Sequence, residues 1–420
     1  MTAVAGAGGA TLVLARSGRA PEAGISADTE VLGLPLLRRA ALAASRAGYD
    51  RVYVLGETPG SKVSLAGTSA RPVSSVDIGG ASLRAGRIVL LPDRTVATTK
   101  WLRDLREAPL EPDRLHRLGE GAIVESSDPA PLLRAASAGD LDSVVSAWSG
   151  LLPPGDPAPV TPPFAPATKD EIPAAEALLL RDLVKAGDGP LTRIFSRKVS
   201  LAVTRRVART GLRPNAMTVL CVALGLAAAW CFASPEPARQ ALGGIAFLLH
   251  SILDGCDGEL ARLKFQESRL GGLLDFWGDN IVHVAVFSAF AIAWSDAIDD
   301  DWPLTLGGLA VGGTLLSAGF IYVFAMRPRG DAGPLLTTVS PSRRSRLTKA
   351  LDGTSNRDFI YLVAVLGILG KAYWFLAAAA VGTPVFFLGL LIMARGGPPG
   401  PGEPTPVLEG HTAASGESSR

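Results

Sequence analysis

The pattern of apolar and polar positions changes once, near residue 200. In the first part, short apolar runs alternate with amphipathic stretches. "ATLVLA" (10–15), "RVYVLG" (51–56), "RIVLLP" (87–92) and "AIVES" (122–126) predict short buried strands. "LPLLRRAALAASRAG" (34–48) and "TTKWLRDLREA" (98–108) repeat apolar residues at helical spacing and predict amphipathic helices. This alternation predicts a soluble α/β domain over residues 1–150 with a mainly parallel sheet. The proline-rich "LLPPGDPAPVTPPFAPAT" (151–168) predicts an extended, semi-rigid linker and a domain boundary; the linker is taken as 151–169.

Residues 170–213 follow as predicted helix, rich in Lys185, Arg193, Arg197, Lys198, Arg205, Arg206, Arg209 and Arg213. A basic amphipathic helix just before apolar sequence suits an anionic membrane surface. Six apolar runs come next, at 216–233, 240–261, 271–294, 304–326, 358–371 and 374–394, with a helical hairpin turning near Lys371. Several approach the ~20 residues a helix needs to cross a bilayer. The expectation is an α-helical integral membrane domain of six transmembrane helices over 214–395, then a disordered Gly/Pro/Ser/Glu tail at 396–420. The segment before 216 and the loops at 262–269 and 327–357 are basic, whereas "SPEPAR" and "SDAIDDDWP" are not. The positive-inside rule then puts both termini and the α/β domain on the cytoplasmic side. Trp294 and Trp302 fit interfacial anchors.

Composition changes this picture little. The 420 residues carry a net charge of +2, which gives no footprint for nucleic acid, and nucleic acid is not an expected partner. Cys221, Cys231 and Cys256 form neither a zinc spacing nor a disulfide framework, which favours a reducing compartment. "MTAVAGAGGATLVLARSG" lacks the basic start and long apolar run of a signal peptide.

The chemistry concentrates in "DGCDGELARLKFQESRLGGLLDFWGD" (254–279). Asp254, Asp257, Gly258, Ala261 and Arg262 share one helical face; Gly271, Asp275 and Asp279 share a face of the next helix. Two antiparallel helix ends would present these carboxylates to each other, with glycines and an alanine leaving room for a ligand. Four carboxylates so close cannot all ionise without cations, and oxygen ligands suit Mg²⁺ or Mn²⁺. Two ions about 4 Å apart would clamp a diphosphate, Arg262 would add charge, and one carboxylate would be spared as a base for displacement at phosphorus. Helix capping and a proton or transport pathway are the competing readings; an EF-hand does not fit the spacing.

These residues carry a resemblance. Asp254-x2-Asp257-Gly258-x2-Ala261-Arg262-x8-Gly271-x3-Asp275-x3-Asp279 is the complete signature of the CDP-alcohol phosphatidyltransferases. "RPNAMT" (213–218) and "NRDF" (356–359) resemble the openings of that family's first and fifth spans. The resemblance implies six membrane helices, a homodimer, and release of CMP as a CDP-alcohol donor is joined to an acceptor alcohol. By position it implies Asp254, Asp257, Asp275 and Asp279 as ligands of two Mg²⁺ or Mn²⁺ ions, with Asp279 also the general base. Gly258 and Ala261 would line the cytidine pocket, Arg262 would meet the diphosphate, and Gly271, Pro214, Asn215 and Thr218 would border substrate. The acceptor would be a polyol, polyol phosphate or lipid.

"DGCDGELARLK" and "KAGDGPLTRIFSRKVS" (185–200) look like the di-myo-inositol-phosphate phosphate synthase type, which often carries a fused nucleotidyltransferase. A lipid donor such as CDP-diacylglycerol and a non-catalytic or transport protein of the same fold are the alternatives. Residues 10–150 resemble the fused domain in outline, but "LARSGRAPEAG" (14–24) replaces the Gly-rich phosphate loop and Leu34 stands where a lysine precedes Pro35. Asp93 is a lone strand-end carboxylate. The domain is therefore read as degenerate, structural or regulatory. His250 and His283 lie one turn from Asp254 and Asp279 and are read as hydrogen-bonded inside the bundle; the basic "SPSRRSRLTK" (340–349) and Arg357 fit positive-inside bias, with binding of a phosphorylated acceptor or anionic lipid headgroups as the alternative.

Overall fold

The computed structural model describes residues 9–17, 25–55, 64–73, 85–136, 140–184, 196–326 and 359–395. The basic loop 340–349, Arg357, most of "NRDF", Lys185, Arg193 and the tail 396–420 lie outside the described residues. Contacts divide the chain into two compact units, Met1–Ala227 with Ile245–Asp279, and Ala228–Gly244 with Asn280–Arg420.

The first unit contains a six-stranded sheet of β1 (Gly9–Ala15), β4 (Arg51–Leu55), β5 (Ala70–Val73), β6 (Gly86–Pro92), β7 (His116–Leu118) and β8 (Gly121–Ser126). Its order is β5-β4-β1-β6-β8-β7. The β5-β4-β1-β6 half is parallel, and β8 and β7 add on antiparallel. Leu12, Val89 and Ile123 face one layer with α1 (Leu36–Ala47) and α2 (Thr99–Glu107). Val13, Leu90 and Val124 face the other with α3 (Ala130–Ala136) and α4 (Leu141–Leu151). Alternate residues of each strand thus fill both layers, which is why the strands read as continuous apolar runs. The predicted strands and helices fall within one or two residues of these elements.

A short hairpin, β2 (Glu30–Val31) and β3 (Leu34–Pro35), precedes α1. Its turn residues Leu32 and Gly33 both have positive φ, 51° and 74°. That is the geometry of a two-residue primed turn.

The linker is extended but not a free spacer. Val96 N–H donates to Phe164 O at 2.8 Å, Leu115 N–H to Pro153 O at 3.0 Å and Gly155 N–H to Leu115 O at 2.9 Å. Trp101 Nε1 donates to Thr161 O at 2.9 Å, and Arg94 Nη1 to Pro166 O at 3.0 Å. Prolines give up donors yet keep carbonyls, and the domain's donors use several of them.

Two helices, α5 (Ile172–Arg181) and α6 (Arg197–Ala208), occupy the basic region. Arg205 and Arg209 both pair with the buried Glu176 of α5 at 2.7 Å. Part of the positive charge there is thus spent inside the fold rather than offered to a surface.

Helices α7 (Pro214–Phe232), α8 (Pro237–Lys264), α9 (Arg269–Ile298), α10 (Trp302–Ile321), α11 (Phe359–Ile368) and α12 (Phe375–Arg395) complete the chain. Among the described residues, four helical segments are long and apolar enough to cross a membrane: Pro214–Phe232, Arg269–Ile298, Trp302–Phe324 and Ala372–Ile392. Among the other two predicted spans, α8 has the length but loads its C-terminal half with charge, and α11 has only 10 described residues. In the second unit, Thr383 Oγ1 of α12 donates to Ala310 O of α10 at 3.0 Å. A Cβ on Gly313 would lie 2.5 Å from Thr383 Oγ1, so this glycine lets the two helices approach. Trp294 and Trp302 meet edge to face at 4.9 Å.

Candidate active site

Helices α8 and α9 are joined by residues 265–268, a turn short enough to force them antiparallel. The C-terminus of α8 closes with Gln266 N–H donating to Ala261 O at 2.8 Å and Phe265 N–H to Arg262 O at 3.3 Å. That is a Schellman motif with Phe265, φ 56°, in the left-handed position where glycine is usual. Ser268 then caps α9, its Oγ accepting from Gly271 N–H at 3.0 Å.

The hairpin brings the predicted carboxylates together. One oxygen each from Asp254, Asp275 and Asp279 lie within 4.8 Å of one another, with Asp254 buried and the other two half-buried. Asp257, also buried, is turned toward α7: it accepts from Thr218 Oγ1 and from Gly258 N–H. Thr218 sits one turn after Pro214 and also donates to Pro214 O at 3.3 Å, which ties the start of α7 to the aspartate face of α8. Asn215 lies by α9, where a Cβ on Gly271 would come within 2.9 Å of its Oδ1. Arg262 folds back over Gly258, whose missing Cβ would be 3.3 Å from Nη1. Ala261 is half-buried on the same helix face. Thr218 and Gly258 thus contact Asp257, Pro214 is tied to Thr218, and Asn215 lies against Gly271.

Three converging carboxylates in a partly buried place repel one another strongly. All-oxygen donors of this kind fit a hard divalent ion, which would remove the repulsion. The glycines beside them let polar side chains come close: Arg262 packs over Gly258, and Asn215 and Ser268 over Gly271.

Three features were not read from the sequence. Glu259, fully buried, accepts from Ser200 Oγ at 2.9 Å and Thr204 Oγ1 at 2.7 Å and pairs with Arg197. The complementary stripe at 197, 200 and 204 was the available signal, one face of α6. Gly278 admits Val222 of α7, whose Cγ2 would be 2.5 Å from a Cβ. His250, read as hydrogen-bonded inside the bundle, is buried with Nδ1 2.8 Å from Cys221 O. Finally, α8 ends against the α/β domain through Arg39 and Phe265. All three cysteines are buried and free.

Comparison with known proteins matches residues 212–339 to the family model described as CDP-alcohol phosphatidyltransferase. The chain is 38% identical over 127 residues to a bifunctional IPC transferase and DIPP synthase of Thermococcus kodakarensis, covering 30% of this chain and 28% of that protein. A protein of the same description from Rubrobacter xylanophilus is 31% identical over 237 residues, 54% of this chain and 48% of that one. The matched region spans between about a quarter and a half of the length of these relatives. Among solved structures, Mycobacterium tuberculosis phosphatidylinositol phosphate synthase with CDP-DAG bound is 22% identical, with a TM-score of 0.31, over 46% of this chain and 94% of that one.

Proposed function

We propose, from the premise that residues 212–339 form a CDP-alcohol phosphatidyltransferase domain, that this chain is a membrane phosphotransferase. It passes the substituted phosphate of a CDP-alcohol to an acceptor alcohol and releases CMP. The observation that carries this reading is the convergence of Asp254, Asp275 and Asp279 within 4.8 Å.

Asp254, Asp257, Asp275 and Asp279 would hold two Mg²⁺ or Mn²⁺ ions. When bound, the ions neutralise the carboxylates and stabilise charge on the departing phosphate. Gly258 and Ala261 admit the cytidine, and Pro214, Asn215, Thr218 and Gly271 border the nucleotide. Asp279 takes the proton of the acceptor hydroxyl. The acceptor oxygen bonds to the β-phosphorus as the bond from that phosphorus to the bridging oxygen breaks. CMP leaves with the electron pair, its charge met by Arg262.

The fuller architecture belongs to the same reading: six spans, including α8 and α11, a homodimer, and an active site with both termini on the cytoplasmic side. The loop-charge pattern supports that orientation. The relatives described as DIPP synthases favour a soluble CDP-polyol donor over CDP-diacylglycerol. The α/β domain is read as lacking nucleotidyl transfer. Arg94, the cation beside Asp93, is held by Glu120 at 2.8 Å and by linker carbonyls.

The test is CMP release by the full chain with CDP-inositol or CDP-diacylglycerol, each offered glycerol phosphate, inositol and inositol phosphate, with and without Mg²⁺. Metal-dependent CMP release with CDP-inositol is expected. Release with CDP-diacylglycerol alone would replace the donor; none with any pair would remove the transferase reading.

A further inference from the structure

We propose that the α/β domain acts as a clamp on the α8–α9 hairpin, with Arg39 and Phe265 as positioning residues for the aspartate site. This rests on the transferase reading for its catalytic consequence, but not for its structural one. The last carbonyls of α8 need partners from outside the helix. The Schellman motif satisfies Ala261 and Arg262 and leaves the next one, Leu263 O. Arg39, on α1 and 224 residues away in sequence, donates to it from Nη1 at 2.8 Å and to Val31 O from Nη2 at 2.8 Å. One guanidinium thus joins the β2–β3 hairpin to the last turn of the helix that carries Asp254, Asp257 and Arg262. Its side chain is 1% exposed. Burial lowers its pKa only to about 10, so it remains cationic at neutral pH.

Four further contacts lie at or beside the same turn. Phe265, held in the left-handed conformation, packs against the core cluster of Leu37, Val89 and Leu102 in the α/β domain. Leu32, also left-handed and fully buried, joins Leu36 in a cluster with Leu260 and Leu263 of α8. Gly33 rests against α6, where a Cβ would stand 2.2 Å from Ala208 O. Arg46 pairs with Glu267 at 2.6 Å. Two non-glycine residues in left-handed backbone are unfavourable by themselves and persist only where packing over-determines them. Here the same interface holds both. A domain whose own nucleotide site is degenerate therefore retains the function of holding the turn between the two aspartate-bearing helices.

The experiment uses the full chain in lipid nanodiscs as wild type, Arg39→Met, Arg39→Lys and Phe265→Ala. Hydrogen exchange is followed for peptides covering 261–268 and 36–47, together with KM for the CDP-alcohol and kcat. Loss of a buried charged hydrogen bond should speed exchange at 261–268 by roughly ten- to a hundredfold in Arg39→Met. Protection at 36–47 should persist. Donor KM should rise about tenfold, with a smaller change in kcat, because Arg262 is displaced while Asp279 is not. Arg39→Lys, keeping one of two bonds, should fall between, and Phe265→Ala should follow Arg39→Met. If Arg39→Met does not fold, the other two variants carry both readouts. Wild-type exchange at 261–268 in folded variants would overturn the clamp. A loss of kcat with donor KM unchanged would overturn the positioning role. Failure of wild type to release CMP from any CDP-alcohol would sink the transferase reading and leave the exchange result to decide the clamp.

Discussion

Asp93 follows strand β6 and Asp275 lies in the second turn of α9. Their surroundings differ. Asp275 shares its space with two other carboxylates within 4.8 Å, and the facing helix carries a folded-back arginine. Asp93 is largely buried, which raises its pKa to about 6 although Arg94 and Arg16 pull it down. Its neighbour Arg94 is already committed to Glu120 and the linker. One aspartate belongs to a set of three converging carboxylates that could share a cation, and the other is a single group whose charge burial disfavours. The difference teaches that site chemistry follows from the number and spacing of carboxylates, not from an aspartate at the end of an element.

Substitutions on the two sides should separate by orders of magnitude. The largest effect is expected for Asp275→Ala, which removes an oxygen donor from the cluster. Metal-dependent CMP release should fall by about 10³-fold or more, and added Mg²⁺ should not restore it. Asp279→Asn comes next. Its turnover should drop by roughly 10²–10⁴-fold while CDP-alcohol binding, read by calorimetry, survives. Near-normal turnover there would remove Asp279 as the base.

A smaller effect is expected from Gly271→Ala, whose new methyl meets Asn215 Oδ1 at 2.9 Å. The cost should be about tenfold in kcat/KM, since a displacement near 1 Å suffices for that. Asp93→Asn should leave turnover unchanged and alter only stability against pH. The folded pKa, about 6, lies above the unfolded value near 3.9. Stability is therefore fully present below about pH 4 and is lost as pH rises through 6, by an amount on the order of 2–3 kcal/mol. Thermal unfolding from pH 4 to 7 should show that decline in wild type, and a flatter profile in Asp93→Asn. A loss of CMP release in this variant would give the α/β domain a role in the chemistry that the comparison denies it.

The aspartate site was the most legible part of the sequence. Its carboxylates lie within one helical hairpin, where spacing shows which side chains share a face, although Asp257 turns to Thr218 of α7. Strands β1, β4, β6 and β8 were legible for a similar reason, as each is a short apolar run, whereas β5 (ARPV) and β7 (HRL) carry no such run and were not read. The antiparallel attachment of β8 and β7 was not legible, because strand direction depends on connections and not on residue pattern. Glu259 escaped because a buried carboxylate looks like an exposed one until its partners on α6 are placed beside it. Arg39 escaped more completely. On α1 it reads as a solvated charge of an amphipathic helix, and its acceptor Leu263 O is 224 residues away. The span count was obscured by charge and length: α8 carries its site residues inside its own apolar stretch, and α11 is short.

The central claim is that an acceptor oxygen displaces CMP at the β-phosphorus. It is tested most directly by tracing that oxygen. The full chain in nanodiscs would be given a CDP-alcohol and an acceptor labelled with ¹⁸O in its hydroxyl, with Mg²⁺ present, and the products weighed by mass spectrometry. The account predicts a phosphodiester that carries the label and CMP that does not, with neither formed by Asp275→Ala. CMP released while the label stays in unreacted acceptor would mean hydrolysis by water, and a labelled CMP ester would mean attack at the α-phosphorus. Either would contradict the account.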